Sequence, residues 1–200
     1  MVIGGGPGGY PAAIRAAQMG KKVLLVERNK LGGECLNYGC IPSKALIHVS
    51  NLVQAIERAP AWGIEVGPAR VDAPRLQAWK QSVVDKLVGG VAQLCKGNGV
   101  EVAFAEASFL DAKTVRTRYA DGRTEDVEFG DAIIATGGRP SDLPAFRFDG
   151  KRIISTKEAL ELPSIPKTLL VIGGGISGLE IGTFYAQLGT KVVVTELLEQ

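Results

Sequence analysis

Cys35 and Cys40 are the residues best placed to do chemistry. They bracket the segment Cys35-Leu-Asn-Tyr-Gly-Cys40, just after Gly32-Gly33 and just before a stretch that reads as a helix. Metal sites prefer two to four residues between cysteines, with further Cys or His ligands. Only Cys95 and His48 remain to supply them, so a metal cluster is disfavoured. A thiol at a helix N-terminus is favoured as the nucleophilic thiolate, which suits redox work. The spacing alone equally allows two ordinary buried cysteines, since unmodified Cys behaves as a small apolar residue. Three cysteines in the chain do not make a secreted disulfide framework. In a reducing compartment a close pair reads as catalytic or metal-binding.

The elements that must position this pair show in an internal repeat. Residues 4–27 read GGGPGGYPAAIRAAQMGKKVLLVE, and residues 173–196 read GGGISGLEIGTFYAQLGTKVVVTE, gapless at an offset of 169 (173 − 4). Each copy is a Gly-rich turn, a helix, a Gly at the helix end (Gly20, Gly189) and a β-branched strand ending in Glu. Gly4-x-Gly6-x-x-Gly9 and Gly173-x-Gly175-x-x-Gly178 each fit the GxGxxG fingerprint. There the first Gly permits the tight turn, the second lets backbone approach a pyrophosphate, and the third lets helix pack on strand. Glu27 and Glu196 stand where an acid accepts hydrogen bonds from ribose hydroxyls. Two such units imply two dinucleotides and an α/β fold of two Rossmann-like units, the second incomplete. No Arg stands in the four residues after Glu196, whose carboxylate would repel a 2′-phosphate, which favours NAD over NADP in the second unit.

The second copy is preceded by the strand Thr168-Leu-Leu-Val-Ile172, whereas in the first copy Met1 aligns with Leu170. The expectation is a chain truncated at both ends. Between the repeats, Lys44 to about Ala59 reads as a helix. Asp72–Lys96 reads as a long helix capped by Asp72, with Leu76, Trp79, Val83, Leu87, Val91 and Leu94 as its buried stripe. Strands are expected near 101–105, 113–119 and 124–128, with a hairpin turn at Asp121-Gly122. The strand Ala132–Ala135 leads into Thr136-Gly-Gly-Arg-Pro140, followed by a proline-bearing connection.

Hydrophobic content of 46% and charged content of 22% are ordinary for a globular chain. The net charge of +2 is scattered, which argues against nucleic acid or an anionic membrane as partner. No apolar run reaches the ~20 residues of a membrane span. No signal peptide precedes Val2-Ile3, so a cytoplasmic or organelle-matrix setting is expected.

The segment Gly32-Gly-Glu-Cys-Leu-Asn-Tyr-Gly-Cys-Ile-Pro-Ser-Lys44 resembles the active-site segment of the pyridine nucleotide–disulfide oxidoreductases. Within that family the wording CLNxGCIPSKAL is most similar to the members that oxidise dihydrolipoamide. The resemblance covers the whole chain: Gly4–Glu27 looks like the FAD unit, Phe129-Gly-Asp-Ala-Ile-Ile-Ala-Thr-Gly137 like the second flavin motif, and Gly173–Glu196 like the NAD unit.

The resemblance implies a role for each matching residue. Cys40 would be the thiol nearest the flavin and Cys35 the interchange thiol, together a redox disulfide. Lys44 would lie near flavin N5, paired with Glu180. FAD would be held by Gly4, Gly6, Pro7, Gly8, Gly9, Glu27, Arg28, Gly33, Glu34, Cys35, Lys44, Ala107, Ala135, Thr136 and Gly137. NAD would be held by Gly173, Gly175, Ile176, Ser177, Gly178 and Glu196. Ala107 stands where the family often has Gly, Ser177 where it is usually apolar, and Ile176 where glutathione reductases carry a gating Tyr. The implied domains are 1–140 for FAD and the disulfide, 141–166 as connection, and 167–200 as the start of the NAD domain. The implied partners are a lipoyl-bearing protein of a 2-oxo acid dehydrogenase or glycine cleavage complex, and a second copy in a homodimer. The family's catalytic His–Glu pair lies in a C-terminal domain. His48 does not match it and reads as structural or surface, so the isolated chain is not expected to turn over.

Overall fold

The computed structural model of the chain describes residues 1–198; Glu199 and Gln200, the end of the expected segment 167–200, lie outside the described residues. The chain forms two compact units. One holds Met1–Asn37 and Val84–Arg139, the other Tyr38–Val83 and Pro140–Gln200. This grouping cuts across the segments drawn from the sequence.

The first unit is built on a six-stranded sheet. Its strands are β1 (Val2–Ile3), β2 (Leu24–Glu27), β3 (Glu101–Phe109), β4 (Thr114–Tyr119), β5 (Thr124–Glu128) and β6 (Ile133–Ile134), in the order β5-β4-β3-β2-β1-β6. β1 runs parallel between β2 and β6. β3 pairs in parallel with β2 through Glu101–Phe104, then antiparallel with β4 through Ala105–Phe109. Val2, Leu25, Val26, Ala103, Ala105 and Val115 are buried, the pattern of strands covered by other elements. The hairpin expected at Asp121-Gly122 is present, with Gly122 at φ +85° as a tight turn requires. Helices α1 (Tyr10–Gln18) and α2 (Gly33–Tyr38) follow β1 and β2.

In the second unit α3 (Cys40–Arg58) begins earlier than the expected Lys44, at the second cysteine itself. α4 (Ala73–Gly97) divides between the units after Val83. The Asp72 carboxylate accepts from the Arg75 N–H at 3.0 Å, an N-cap bond that satisfies an otherwise unpaired amide. The expected stripe on α4 needs correction. Trp79, Leu87 and Leu94 are exposed, while Lys80, Val84, Val91 and Cys95 are buried. Val91 is buried as expected, but Val84, Cys95 and Lys80 each lie one position beyond an expected stripe residue, and the face they share includes the charged Lys80. Its Nζ donates to the Leu160 carbonyl at 3.0 Å, so its stem can pack inward.

The rest of the second unit comprises α5 (Thr156–Ala159), β7 (Thr168–Ile172), α6 (Ile176–Gln187) and β8 (Lys191–Thr195), with β7 and β8 paired in parallel. Its core joins Leu46 of α3 with Ala159, Leu160, Ile181, Phe184 and Tyr185. Fully burying a side chain of the Leu or Phe class contributes about 1.5–3 kcal/mol. Tyr185 keeps its hydroxyl satisfied by donating to the Ala159 carbonyl at 2.5 Å, and burial pushes its pKa up to about 12. The stretch expected as a mere connection thus supplies a capped helix, with Ser155 and Glu158 forming a capping box, and two core residues.

Candidate functional site

The two glycine turns have the same local construction. Gly4 and Gly173 both sit at φ +104°, open to glycine and strained for other residues. Gly4 N–H donates to the Val26 carbonyl and Gly173 N–H to the Thr195 carbonyl, each at 2.8 Å. Gly5 N–H donates to Glu27 Oε2 at 2.6 Å, and Gly174 N–H to Glu196 Oε2 at 2.7 Å. A Cβ on Gly9 would run into the Gly4 carbonyl oxygen, and one on Gly178 into the Gly173 carbonyl oxygen. The third glycine of each fingerprint is therefore required by the helix's own turn.

Both acids have a job that sequence reasoning did not assign: each ties its glycine turn to the next strand. Glu27 is buried, and its second oxygen accepts from the Asn29 N–H at 2.7 Å. Glu196 is exposed, and its second oxygen accepts from the Leu197 and Leu198 N–H groups at 2.7 and 2.9 Å. Hydrogen bonds from the N–H groups of Leu198, Gly174 and Leu197 hold the Glu196 carboxyl below its ordinary 4.5. A carboxylate offers about four lone-pair sites, so these bonds leave about two sites on Glu27 and one on Glu196.

The first turn gathers most of the residues named for FAD. Gly33, at φ +57°, passes so close that a Cβ there would lie 2.6 Å from the Gly6 Cα. Ala135, whose N–H donates to the Ile3 carbonyl at 2.8 Å, backs the same turn. Its Cβ lies 3.7 Å from where one on Gly8 would stand. Pro7, Gly8, Arg28, Glu34, Thr136 and Gly137 are exposed. Ala107 sits half-buried on β3, opposite Thr117 of β4, packed against the cluster of Val26, Ala103 and Ala105. A bare-backbone cradle at a helix N-terminus, closed only to side chains, fits a pyrophosphate.

In the second turn Gly175 has open space beside it, Ile176 and Ser177 are exposed, and α6 begins immediately. With a carboxylate at Glu196, it fits a dinucleotide that carries ribose hydroxyls there.

Cys35 lies half-buried in α2, and Cys40 is the exposed first residue of α3. All three cysteines stand as thiols. Asn37, unassigned by the sequence, holds the cysteine segment. Its buried Nδ2 donates to the Leu31 and Gly33 carbonyls at 3.0 and 2.9 Å. Lys44 Nζ donates to Glu180 Oε1 at 2.6 Å, so the two residues named as a pair are in contact. Ser43, also unassigned, reaches Glu180 Oε2 at 3.0 Å. His48 is exposed on α3. Among the described residues no group of three or more His, Cys, Asp or Glu could hold a metal ion, and no helix is long and apolar enough to cross a membrane.

Comparison with known proteins agrees with this geometry. Residues 1–200 match the family model described as pyridine nucleotide-disulphide oxidoreductase. The chain is 52% identical over 196 residues to a dihydrolipoyl dehydrogenase of Geobacillus stearothermophilus, covering 98% of this chain and 41% of that relative. It is 48% identical over 201 residues to dihydrolipoyl dehydrogenase 2 of Haloarcula marismortui, covering 100% and 42%. The crystal structure of LpdA from Mycobacterium tuberculosis superposes with a TM-score of 0.88 at 29% identity, over 96% of this chain and 43% of that one. The chain therefore spans about two-fifths of the length of these relatives. Two fingerprint turns of one geometry, a CxxxxC pair entering a helix and a match along the whole sequence place the chain in the pyridine nucleotide-disulphide oxidoreductase family.

Proposed function

We propose that the chain is the electron-transfer part of an enzyme that oxidises protein-bound dihydrolipoamide with NAD as acceptor. The observation that carries this reading is the pairing of Lys44, on the cysteine-bearing helix α3, with Glu180 of α6, in a chain 52% identical to a dihydrolipoyl dehydrogenase. In this reading Cys35 and Cys40 cycle between disulfide and dithiol. A substrate thiolate attacks the Cys35 sulfur, the Cys35–Cys40 bond breaks, and Cys40 leaves as thiolate. The second substrate thiolate then attacks the substrate sulfur of the mixed disulfide. Cys35 is released, the lipoyl ring closes, and the two substrate protons balance the two new thiols. Position N1 of α3 suits the Cys40 leaving group, because helix N–H dipoles favour negative charge there.

Gly4, Gly6, Pro7, Gly8, Gly9, Gly33 and Ala135 would hold FAD, with Arg28, Glu34, Ala107, Thr136 and Gly137 beside it. Gly173, Gly175, Ile176, Ser177, Gly178 and Glu196 would hold NAD. FAD, when bound, would supply the two-electron acceptor for the dithiol, with NAD as the final acceptor. Lys44 supplies a cation and Glu180 keeps it in place. The residues 1–140 would serve FAD and the disulfide, 141–166 would connect, and 167–200 would open the NAD domain. The partner would be a lipoyl-bearing protein of a cytoplasmic or matrix complex, met by a homodimer.

The test joins this chain to the remaining length of the Geobacillus stearothermophilus relative. NAD reduction with dihydrolipoamide, and none of consequence with glutathione, is expected. Turnover with glutathione disulfide and none with dihydrolipoamide would sink the substrate reading.

A further inference from the structure

Helices α3 and α6 are joined twice by the same arrangement, seven residues apart on each helix. Ser43 and Lys44 meet Glu180 through its two carboxylate oxygens, at 3.0 and 2.6 Å. One heptad on, Ser50 meets Gln187 Oε1 at 2.5 Å, and Gln187 Nε2 donates to Asn51 Oδ1 at 2.9 Å. The equal steps (43 to 50, 44 to 51, 180 to 187) follow from two helices running side by side in the same direction. Chemistry is where the two locks differ. The second is neutral, so pairing these helices needs no charge. The first places an ammonium and a carboxylate at the end of α3 that carries Cys40.

That ion pair is not self-positioning. The Lys44 side chain is 58% exposed and that of Glu180 27%. Exposed pairs contribute little, because holding two long side chains in one geometry costs entropy. Ser43, by contrast, is only 5% exposed. Its hydroxyl lies within reach of the Cys40 carbonyl, at 3.1 Å, and of Glu180. It has one proton to give, and a carboxylate is the stronger acceptor. The hydrogen bond from Lys44, with a further one from Ser43, outweighs partial burial and holds the Glu180 carboxyl below its ordinary 4.5.

We propose that Ser43 is a positioning residue: its buried hydroxyl fixes one oxygen of Glu180 and thereby presents the other to Lys44, setting where the ammonium stands relative to the Cys40 turn. The purpose of a fixed cation rests on the function proposed above, in which Lys44 serves bound FAD. The positioning itself does not.

The test follows Glu180 by carbon NMR in the 200-residue chain, as wild type, Ser43→Ala and Ser43→Thr. Ser43→Ala is expected to raise the Glu180 midpoint by about 0.5 pH unit, a roughly threefold change in its protonation constant. Ser43→Thr, which keeps the hydroxyl, should restore it. A Glu180 midpoint unchanged in Ser43→Ala overturns the proposal. Should that variant lose its dispersed amide spectrum, Ser43→Cys keeps the volume with only a weak donor and is read the same way. A second arm measures the flavin potential of the FAD-loaded chain. A lowered potential in Ser43→Ala supports both readings. A shifted Glu180 midpoint with an unmoved potential supports the role of Ser43 and removes Lys44 from the flavin.

Discussion

The backbone N–H of Gly5 donates to the Oε2 of Glu27 at 2.6 Å, and Gly174 repeats the bond with Glu196 at 2.7 Å. The acid that closes each glycine-turn unit is thus a structural clamp. For Glu196 the clamp is pH-dependent. Its carboxyl titrates below the ordinary 4.5 in the fold, so near that value the unfolded chain binds more protons than the native one. The stabilisation is complete above 4.5 and is lost as pH falls through the lower, native value. Glu196→Gln removes the charge-dependent part. Urea midpoints should show wild type ahead of the variant at pH 7, with the gap narrowing as pH falls below 4.5. A gap that ignores pH would count against the clamp.

The third glycine of each turn makes a steric prediction. Gly9→Ala and Gly178→Ala force a Cβ onto a carbonyl oxygen of their own turn. Each should cost about 1–3 kcal/mol, the usual range for overpacking against backbone that can yield only a little. Gly8→Ala, whose Cβ would meet only the Ala135 methyl at 3.7 Å, should fall well below that range. Denaturant midpoints of the three variants decide it. Equal losses at Gly8 and Gly9 would mean that the turn relaxes more than its packing allows.

What the sequence disclosed, and what it hid, divides along physical lines. Glycine turns were legible because backbone geometry admits almost nothing else at Gly4, Gly9, Gly173 and Gly178. The Asp72 cap and the Asp121-Gly122 hairpin were legible for the same local reason. The α4 face was misread because periodicity counts apolar residues. Lys80 is an inward residue only by virtue of a carbonyl on another element, at Leu160. The grouping of Tyr38–Val83 with the later half depends on Leu46 meeting Phe184 and Tyr185, contacts too distant in sequence for any local pattern to show. Lys44 and Glu180 were named through family wording. Ser43 and Asn37 were passed over because small polar residues look alike until their partners are known.

Asn37 can be tested directly. Its side-chain N–H groups satisfy two carbonyls, of Leu31 and Gly33, at the entry to the helix that carries Cys35, and the residue is 8% exposed. Asn37→Ala leaves both acceptors without that donor, at a cost of about 1–3 kcal/mol. The loosened turn should also expose the half-buried Cys35, and alkylation of that thiol should speed up more than alkylation of Cys40. Peptide mass mapping after brief iodoacetamide treatment resolves the two. Unchanged Cys35 labelling together with unchanged stability would leave Asn37 without the anchoring role.

The cysteines should also separate by reactivity in the native chain. Cys40 is exposed at the start of α3, Cys35 is half-buried, and Cys95 is buried in the inward face of α4. Burial pushes the Cys95 thiol up from its ordinary 9.0, so at neutral pH it presents little thiolate as well as little surface. Alkylation depends on both. Cys95 should therefore react only when the surrounding structure opens, a route limited by local unfolding. The expected order at pH 7 is Cys40, then Cys35, with Cys95 at least about tenfold slower until denaturant is added. Mild oxidation should likewise consume Cys35 and Cys40 and spare Cys95. Labelling of Cys95 at the pace of Cys40 would mean that α4 is not packed as described, and that the CxxxxC pair is not the chain's distinct reactive centre.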